Sequence, residues 1–311
     1  MKNKEHSVAV LMSTYNGEQY IQEQIESIFS QDYSGNITII IRDDGSDDFT
    51  CKIIAKIEQT ENRKLVLYSE ENIGPQRSFL RLLAVAPQNY SYYCFADQDD
   101  VWNCCKISEL LSKFDSSEVP TLVCSNYSLV NFDLSVIEDN AIKKKPNFAV
   151  LRNALYNEIP GCTMCFNYAL MKVVKEIQIE DVMMHDSYVL SLASMVGKVI
   201  YIDKPLIKHR IHENNVIGSG KKPIDIKKWL PDKLKLIRNG EHYSVSEMAE
   251  KILCVSKILV DDQKYADFEL LATYKQSIFK TFKLLLHKDL KNDFWDRTTL
   301  SVRCRILFHL Y

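Results

Sequence analysis

Ser91-Tyr92-Tyr93-Cys94-Phe95-Ala96, running into Asp97-Gln98-Asp99-Asp100-Val101-Trp102, is the stretch on which the reading of this chain turns. The first part is aromatic and apolar and predicts a short buried strand. Three carboxylates then follow within four residues. Such a cluster does not stay buried and charged without a counter-cation. At a strand end it either faces water as a solvated turn or holds a metal. An oxygen-only ligand set favours a hard divalent ion, Mg²⁺ or Mn²⁺, with positions left open for phosphate oxygens.

Outward from this stretch, the N-terminal part alternates strand and helix. Ser7–Met12 and Ile37–Ile41 are continuous apolar runs, the pattern of strands buried on both faces of a parallel sheet. Lys64–Tyr68 is a third strand. Helical spacing covers 18–30, roughly 49–60, and the segment after Pro75. The alternation predicts an α/β fold: one Rossmann-like, mostly parallel central sheet with helices on both faces. Thr14-Tyr15, Asp43-Asp44 and Asp97–Asp100 all follow strand C-termini, and in an open α/β sheet those ends line one ligand crevice. Asp43 and Asp44 also suit a turn or a helix N-cap, as do Ser46 and Asp47.

The chain has 311 residues, 46% hydrophobic and 26% charged, with a net charge of −2. That is enough for one large or two small globular domains, and the charge balance argues against a nucleic-acid partner. The polar opening Met1–His6 lacks a signal-peptide pattern, and no apolar run has membrane-spanning length. Nine irregularly spaced cysteines fit reduced thiols, and Cys162-x-x-Cys165 reads as structural. The expectation is a cytoplasmic protein, at most resting on the inner face of the cell membrane.

Ser13-Thr14-Tyr15-Asn16-Gly17, Asp43-Asp44-Gly45-Ser46, Asn72-Ile73-Gly74 and Asp97-Gln98-Asp99-Asp100 stand in the order and spacing of the family 2 glycosyltransferases, which the sequence resembles. Phe95–Trp102, Ile159–Asn167, and His185-Asp186 followed by His209–Gly218 are similar to bacterial rhamnosyltransferase-like members. The resemblance spans roughly 7–220. It implies a GT-A fold, with a catalytic domain over 1–220 and a C-terminal helical extension over 221–311.

The resemblance also implies roles. Tyr15 lies against a nucleotide base beside Thr14, and Asp43 accepts the base N3–H, which suits uracil or thymine. Asp44, Asn72, Gln98 and Arg77 join the donor side, Arg77 being displaced from the family's usual basic position. Asp97 and Asp99 bind the metal and the donor's ribose and diphosphate. Arg210 and His212 face the diphosphate or the metal. Gly161, Cys162, Thr163, His185, Asp100 and Trp102 fall on the acceptor side, with Asp186 as general base. For Asp186 the plain alternative is a helix cap.

The expected activity is inverting transfer of one sugar to a saccharide acceptor, lipid-linked, in cell-surface polysaccharide synthesis. The first donor is dTDP-rhamnose and the second a UDP-hexose. A sugar nucleotidyltransferase would want a Gly-rich basic loop after the first strand, which Ser13–Gly17 does not supply. An inactive acceptor-binding homologue is the non-enzymatic reading. Elsewhere, 139–153 reads as a mobile polar loop, and 198–202 and 205–207 as two strands. Segments 226–240, 246–259, 268–286 and 293–311 suggest helices that either pack on the sheet or make a peripheral membrane foot.

Overall fold

The computed structural model describes residues 7–115, 118–177, 184–212, 245–256 and 262–290, with Val302, Arg303, Ile306 and Leu307. Its centre is a sheet whose first four strands are β1 (Val8–Thr14), β2 (Ile37–Asp43), β3 (Arg63–Ser69) and β4 (Tyr92–Ala96). They lie parallel in the order β3-β2-β1-β4. Every residue of β2 is buried, as the unbroken Ile run requires. Helices α1 (Ile21–Phe29), α2 (Thr50–Ile54) and α3 (Pro75–Val85) form the crossovers.

The sheet continues beyond β4 with mixed direction. β5 is Val101–Trp102, β6 Thr121–Val130, β7 Val136–Glu138, β8 Met164–Asn167 and β9 Lys198–Arg210. β8 runs antiparallel between β4 and β6, and β9 runs parallel to β6. β5 pairs antiparallel with the end of β9 and so brings the segment after Asp100 against Ile207 and Lys208. Where two strands were expected over 198–207 there is one, with its register shifting against Ser125 and Asn126.

Alternation along each strand divides the core in two. Ala9, Leu11, Tyr93 and Phe95 point to one side, and Val8, Val10, Met12, Cys94 and Ala96 to the other. The first side is covered by α3, α5 (Val150–Leu155), α6 (Tyr168–Ile177) and α7 (His185–Val196). The second is covered by α1, α2 and α4 (Lys106–Leu111).

Two further expectations are corrected here. The segment 139–153 is not loop throughout, because Val150, Leu151, Ala154 and Leu155 form one buried helical face against α7. The long helix over 268–286 is two, α9 (Asp262–Thr273) and α10 (Ile278–Leu285), parted by a 3₁₀ turn. Ser277 caps α10 by accepting from the Phe279 N–H. The segment 226–240, most of 293–311 and the boundary at 220 lie outside the described residues. Helix α8 (Val245–Ser256) shares the first core, through Val245, Met248, Ala249 and Ile252.

Candidate active site

The C-terminal ends of β1, β2 and β4 meet at one edge and are fastened there by polar side chains. Gln98 clamps the end of β1: the Tyr15 N–H donates to Oε1 at 2.9 Å, and Nε2 donates to the Tyr15 carbonyl at 3.0 Å. A Cβ on Gly17 would stand 2.3 Å from that Oε1, so any larger residue there would push the Gln98 amide out of the clamp. The clamp leaves the Tyr15 side chain 48% exposed at the rim. Asp43 is fully buried. It accepts from the Thr14 hydroxyl at 3.1 Å, from the Ser46 N–H at 3.0 Å and from the Ser46 hydroxyl. A carboxylate has about four lone-pair positions, and the Cys51 thiol, a weak donor, bonds to this one as well.

Asp44 turns inward. It pairs with Arg42 and accepts from the N–H groups of Ile73 and Gly74, each at 2.9 Å. Gly74 holds a φ of 84° and places Pro75 at the first turn of α3. The loop carrying Asn72, and the start of α3 carrying Arg77, are thus set by Asp44; both side chains are exposed. Arg42 is the hub that the sequence reading missed. Its guanidinium also reaches Glu70, Ser78 and the Glu71 carbonyl. A lone cation ending an apolar strand before two carboxylates was the available signal.

After β4, the residues expected at the metal fall into two adjacent groups. Ligand atoms of Asp97, Asp100, Cys162 and His209 all lie within 4.8 Å of one another. Asp99 instead meets His212, whose Nε2 is 2.7 Å from Oδ2. His212 stacks on Tyr20, and the Arg210 guanidinium lies 4.6 Å from the same ring. Asp100, expected on the acceptor side, stands here with Oδ1 2.8 Å from His209 Nδ1. Its Oδ2 is buried without a hydrogen-bond partner among the described residues. Arg210 is buried and directed into the protein, to Glu23, the Asp99 carbonyl and the Phe132 carbonyl.

Charge crowds this cluster. Burial, Asp100 and Asp99 push the Asp97 carboxyl up to about 7, against the pull of His209 and Cys162. Burial and Asp100 raise Asp99 as well. Burial disfavours a charge on His209, yet Asp100, Asp97 and Asp99 push its pKa up to about 10. Three carboxylates outnumber the cations that face them, His209 and the buried Lys106, and with the unpartnered Asp100 oxygen they fit a bound divalent cation. The Cys162 thiol is driven well above its ordinary value by burial and the nearby carboxylates and stays protonated. The ligands available are therefore carboxylate oxygens, with His209 joining only after losing its proton, a set that suits Mg²⁺ or Mn²⁺.

Of the residues expected on the acceptor side, Gly161 and His185 meet at the start of α7, whereas Cys162 and Trp102 belong to the core on the other side of the sheet. Gly161 allows close approach, since a Cβ there would lie 2.5 Å from His185 Nε2 and 3.3 Å from the Asp186 Cβ. Cys162 offers its carbonyl to Lys106 Nζ at 2.7 Å, and the Thr163 hydroxyl donates to the Pro160 carbonyl at 2.7 Å. Trp102 is buried, with Lys106 Nζ 3.1 Å from its ring centroid. His185 stacks on Phe79 at 3.8 Å. Neither ring nitrogen has a partner among the described residues, and burial lowers its pKa to about 3, so the ring is neutral.

Asp186 is buried, and burial raises its pKa to about 6, against hydrogen bonds from Ser187 and Asn157. It is not the N-cap of α7. That position is Met184, with no side-chain cap bond; Asp186 stands in the first turn and accepts from the Ser187 N–H at 2.6 Å and from the Asn157 side chain.

The model for Glycosyl transferase family 2 matches residues 9–178, more than half of the chain. This chain is a family 2 glycosyltransferase. Among curated relatives, the family member dTDP-rhamnosyl transferase RfbG of Shigella flexneri is 30% identical over 218 residues, 67% of this chain and 74% of its own. The family's GT-A fold is matched by solved structures. S. aureus TarS 1–349 superposes with a TM-score of 0.57 at 18% identity, covering 96% of this chain and 80% of that one. The mannosyltransferase PcManGT of Pyrobaculum calidifontis, solved with GDP-Man and Mn²⁺, gives 0.50 at 16% identity, covering 98% and 88%.

Proposed function

We propose that this family 2 glycosyltransferase moves one sugar, with inversion, from a pyrimidine nucleoside diphosphate donor to a saccharide acceptor carried on a lipid, in polysaccharide synthesis. The observation that carries the reading is Asp186: a buried carboxylate in the first turn of α7, beside a glycine that lets the chain pass close. An acceptor hydroxyl is a poor nucleophile at neutral pH. Asp186 takes its proton as the oxygen attacks the anomeric carbon. The new C–O bond forms on the face opposite the departing diphosphate, so configuration inverts in one step. A retaining route would need a second nucleophile on the other face, and the remaining carboxylates are engaged elsewhere.

On the donor side Tyr15 stacks on the base, and Asp43 accepts N3–H in place of its weakest partner, the Cys51 thiol. Asn72 and Arg77 line the loop that Asp44 holds in place. Asp97 and Asp99 with His212, and Asp100 with His209, would hold Mg²⁺ or Mn²⁺, which would neutralise the leaving diphosphate. Arg210 acts as a positioning residue, holding Asp99 and Tyr20 in place. The inward Arg42 does the same for Asp44.

The preferred donor is dTDP-rhamnose, supported by the likeness to RfbG. A UDP-hexose is the second choice, and TarS has been solved with UDP-GlcNAc. Turnover of a panel of nucleotide sugars with Mn²⁺ decides between them. Calorimetry with UDP, dTDP, GDP and ADP tests Asp43. Tightest binding by GDP would sink its role, and a retained anomeric configuration in the product would sink that of Asp186.

A further inference from the structure

Helix α10 carries an apolar stripe that the described chain leaves uncovered. Ile278 is 77% exposed, Phe279 78%, Phe282 54% and Leu286, just past its end, 63%. Their spacing places them along one side of the helix. The opposite side, Thr281, Leu284 and Leu285, is buried, so the helix is anchored and no described residue covers its outer face. Phe279, Phe282, Lys283, Leu286, His287 and Lys288 line one open groove of about 580 Å³. Lys280 adds a further cation to the stripe, and no acidic residue occurs between Glu269 and Asp289. Exposed aromatics of this size on a soluble face mark an interaction surface.

We propose that this face docks on an anionic lipid bilayer. Phenylalanine and leucine side chains enter the boundary between headgroups and acyl chains, while lysines beside them meet lipid phosphates. Charge selects this occupant over a second copy of the chain. A two-fold interface would set the patch against itself, bringing the lysines of the two copies together with no acidic residue of the stripe to answer them. The face also has a route to the chemistry. α10 packs on α9, α9 on α5, and α5 on α7, whose first turn carries Asp186. Docking therefore holds the base-bearing flank in a set relation to the bilayer. That use rests on the reading of Asp186 above; the docking itself does not.

The test is flotation of the full chain with vesicles of phosphatidylcholine alone or with about 30% phosphatidylglycerol. The wild type is expected to float with the anionic vesicles. The double variant F279E/F282E should lower the bound fraction roughly tenfold or more. The triple variant K280Q/K283Q/K288Q should lose the preference for phosphatidylglycerol. Both variants should keep the wild-type Tm and donor-hydrolysis rate, since the changed side chains lie on the outer face. A wild type that stays in the lipid-free fraction overturns the proposal, as do variants that float unchanged. So does a lipid-free dimer that F279E/F282E dissociates. Donor hydrolysis is read separately, so failure of the transferase reading leaves the vesicle result standing.

Discussion

The end of β2, proposed for the donor, and the start of α7, proposed for the acceptor, treat their carboxylates in opposite ways. At the end of β2 Asp43 has Thr14 and Ser46, and Asp44 has Arg42 and two backbone N–H groups. At the acceptor side Asp186 has a neighbouring N–H and one asparagine, and next to it a neutral His185 lies between Phe79 and Phe95. Partners hold a charge and its geometry; desolvation makes a carboxylate a stronger base. A donor diphosphate needs the first, because its charge must be met by groups already in place. A hydroxyl proton needs the second, because the base must want it near neutral pH.

The largest effect expected is that of removing the base. Asp186→Asn should lower turnover by about 10²–10⁴-fold while donor affinity by calorimetry stays near wild type. Since asparagine caps helices about as well as aspartate, a purely structural Asp186 would instead leave turnover intact. Such a result would break the comparison at its acceptor end.

Next comes the inward pair of the donor edge. Arg42→Met leaves Asp44 buried without its cation, which typically costs about 3–5 kcal/mol. Urea unfolding should show the loss, and an unchanged midpoint would mean that Arg42 does not organise this edge. Smaller is the effect of Asp99→Asn, which should keep the fold and weaken Mn²⁺ activation by about 10–100-fold. A Mn²⁺ titration of donor turnover checks it, and full activity in EDTA would remove the metal from the mechanism.

The last effect is a pH limb that sharpens the contrast. Asp186 must be deprotonated to act, and burial raises its pKa from 3.8 to about 6. kcat/KM should therefore fall about tenfold per pH unit below that value. Stability runs the other way. A carboxyl raised in the folded state favours folding at low pH and loses that contribution as pH rises through about 6. Asp186→Asn should thus raise Tm near neutral pH, with the gain vanishing below about pH 4. A flat kcat/KM profile, or a Tm gain independent of pH, would assign the shift to another group.

Sequence alone determined the parallel strands, because Val8–Met12 and Ile37–Ile41 are apolar without interruption and have no stable place except between two helical layers. It also determined that Thr14, Asp43 and Asp97 share an edge, since strand direction follows from the strand–helix alternation. It could not tell a charged side chain that faces the crevice from one that turns inward, because both are polar residues one or two positions past a strand. The tertiary structure decided that Asp44, Arg42 and Arg210 point in and that Asp100 meets His209, a contact between residues 109 positions apart. It decided that Val150–Leu155 is helix, since six residues in a polar stretch become helical through burial against α7 more than through propensity. And it decided the environment of Asp186: a carboxylate at a helix start has one chemistry in water and another when buried, and only the packing of α7 chooses between them.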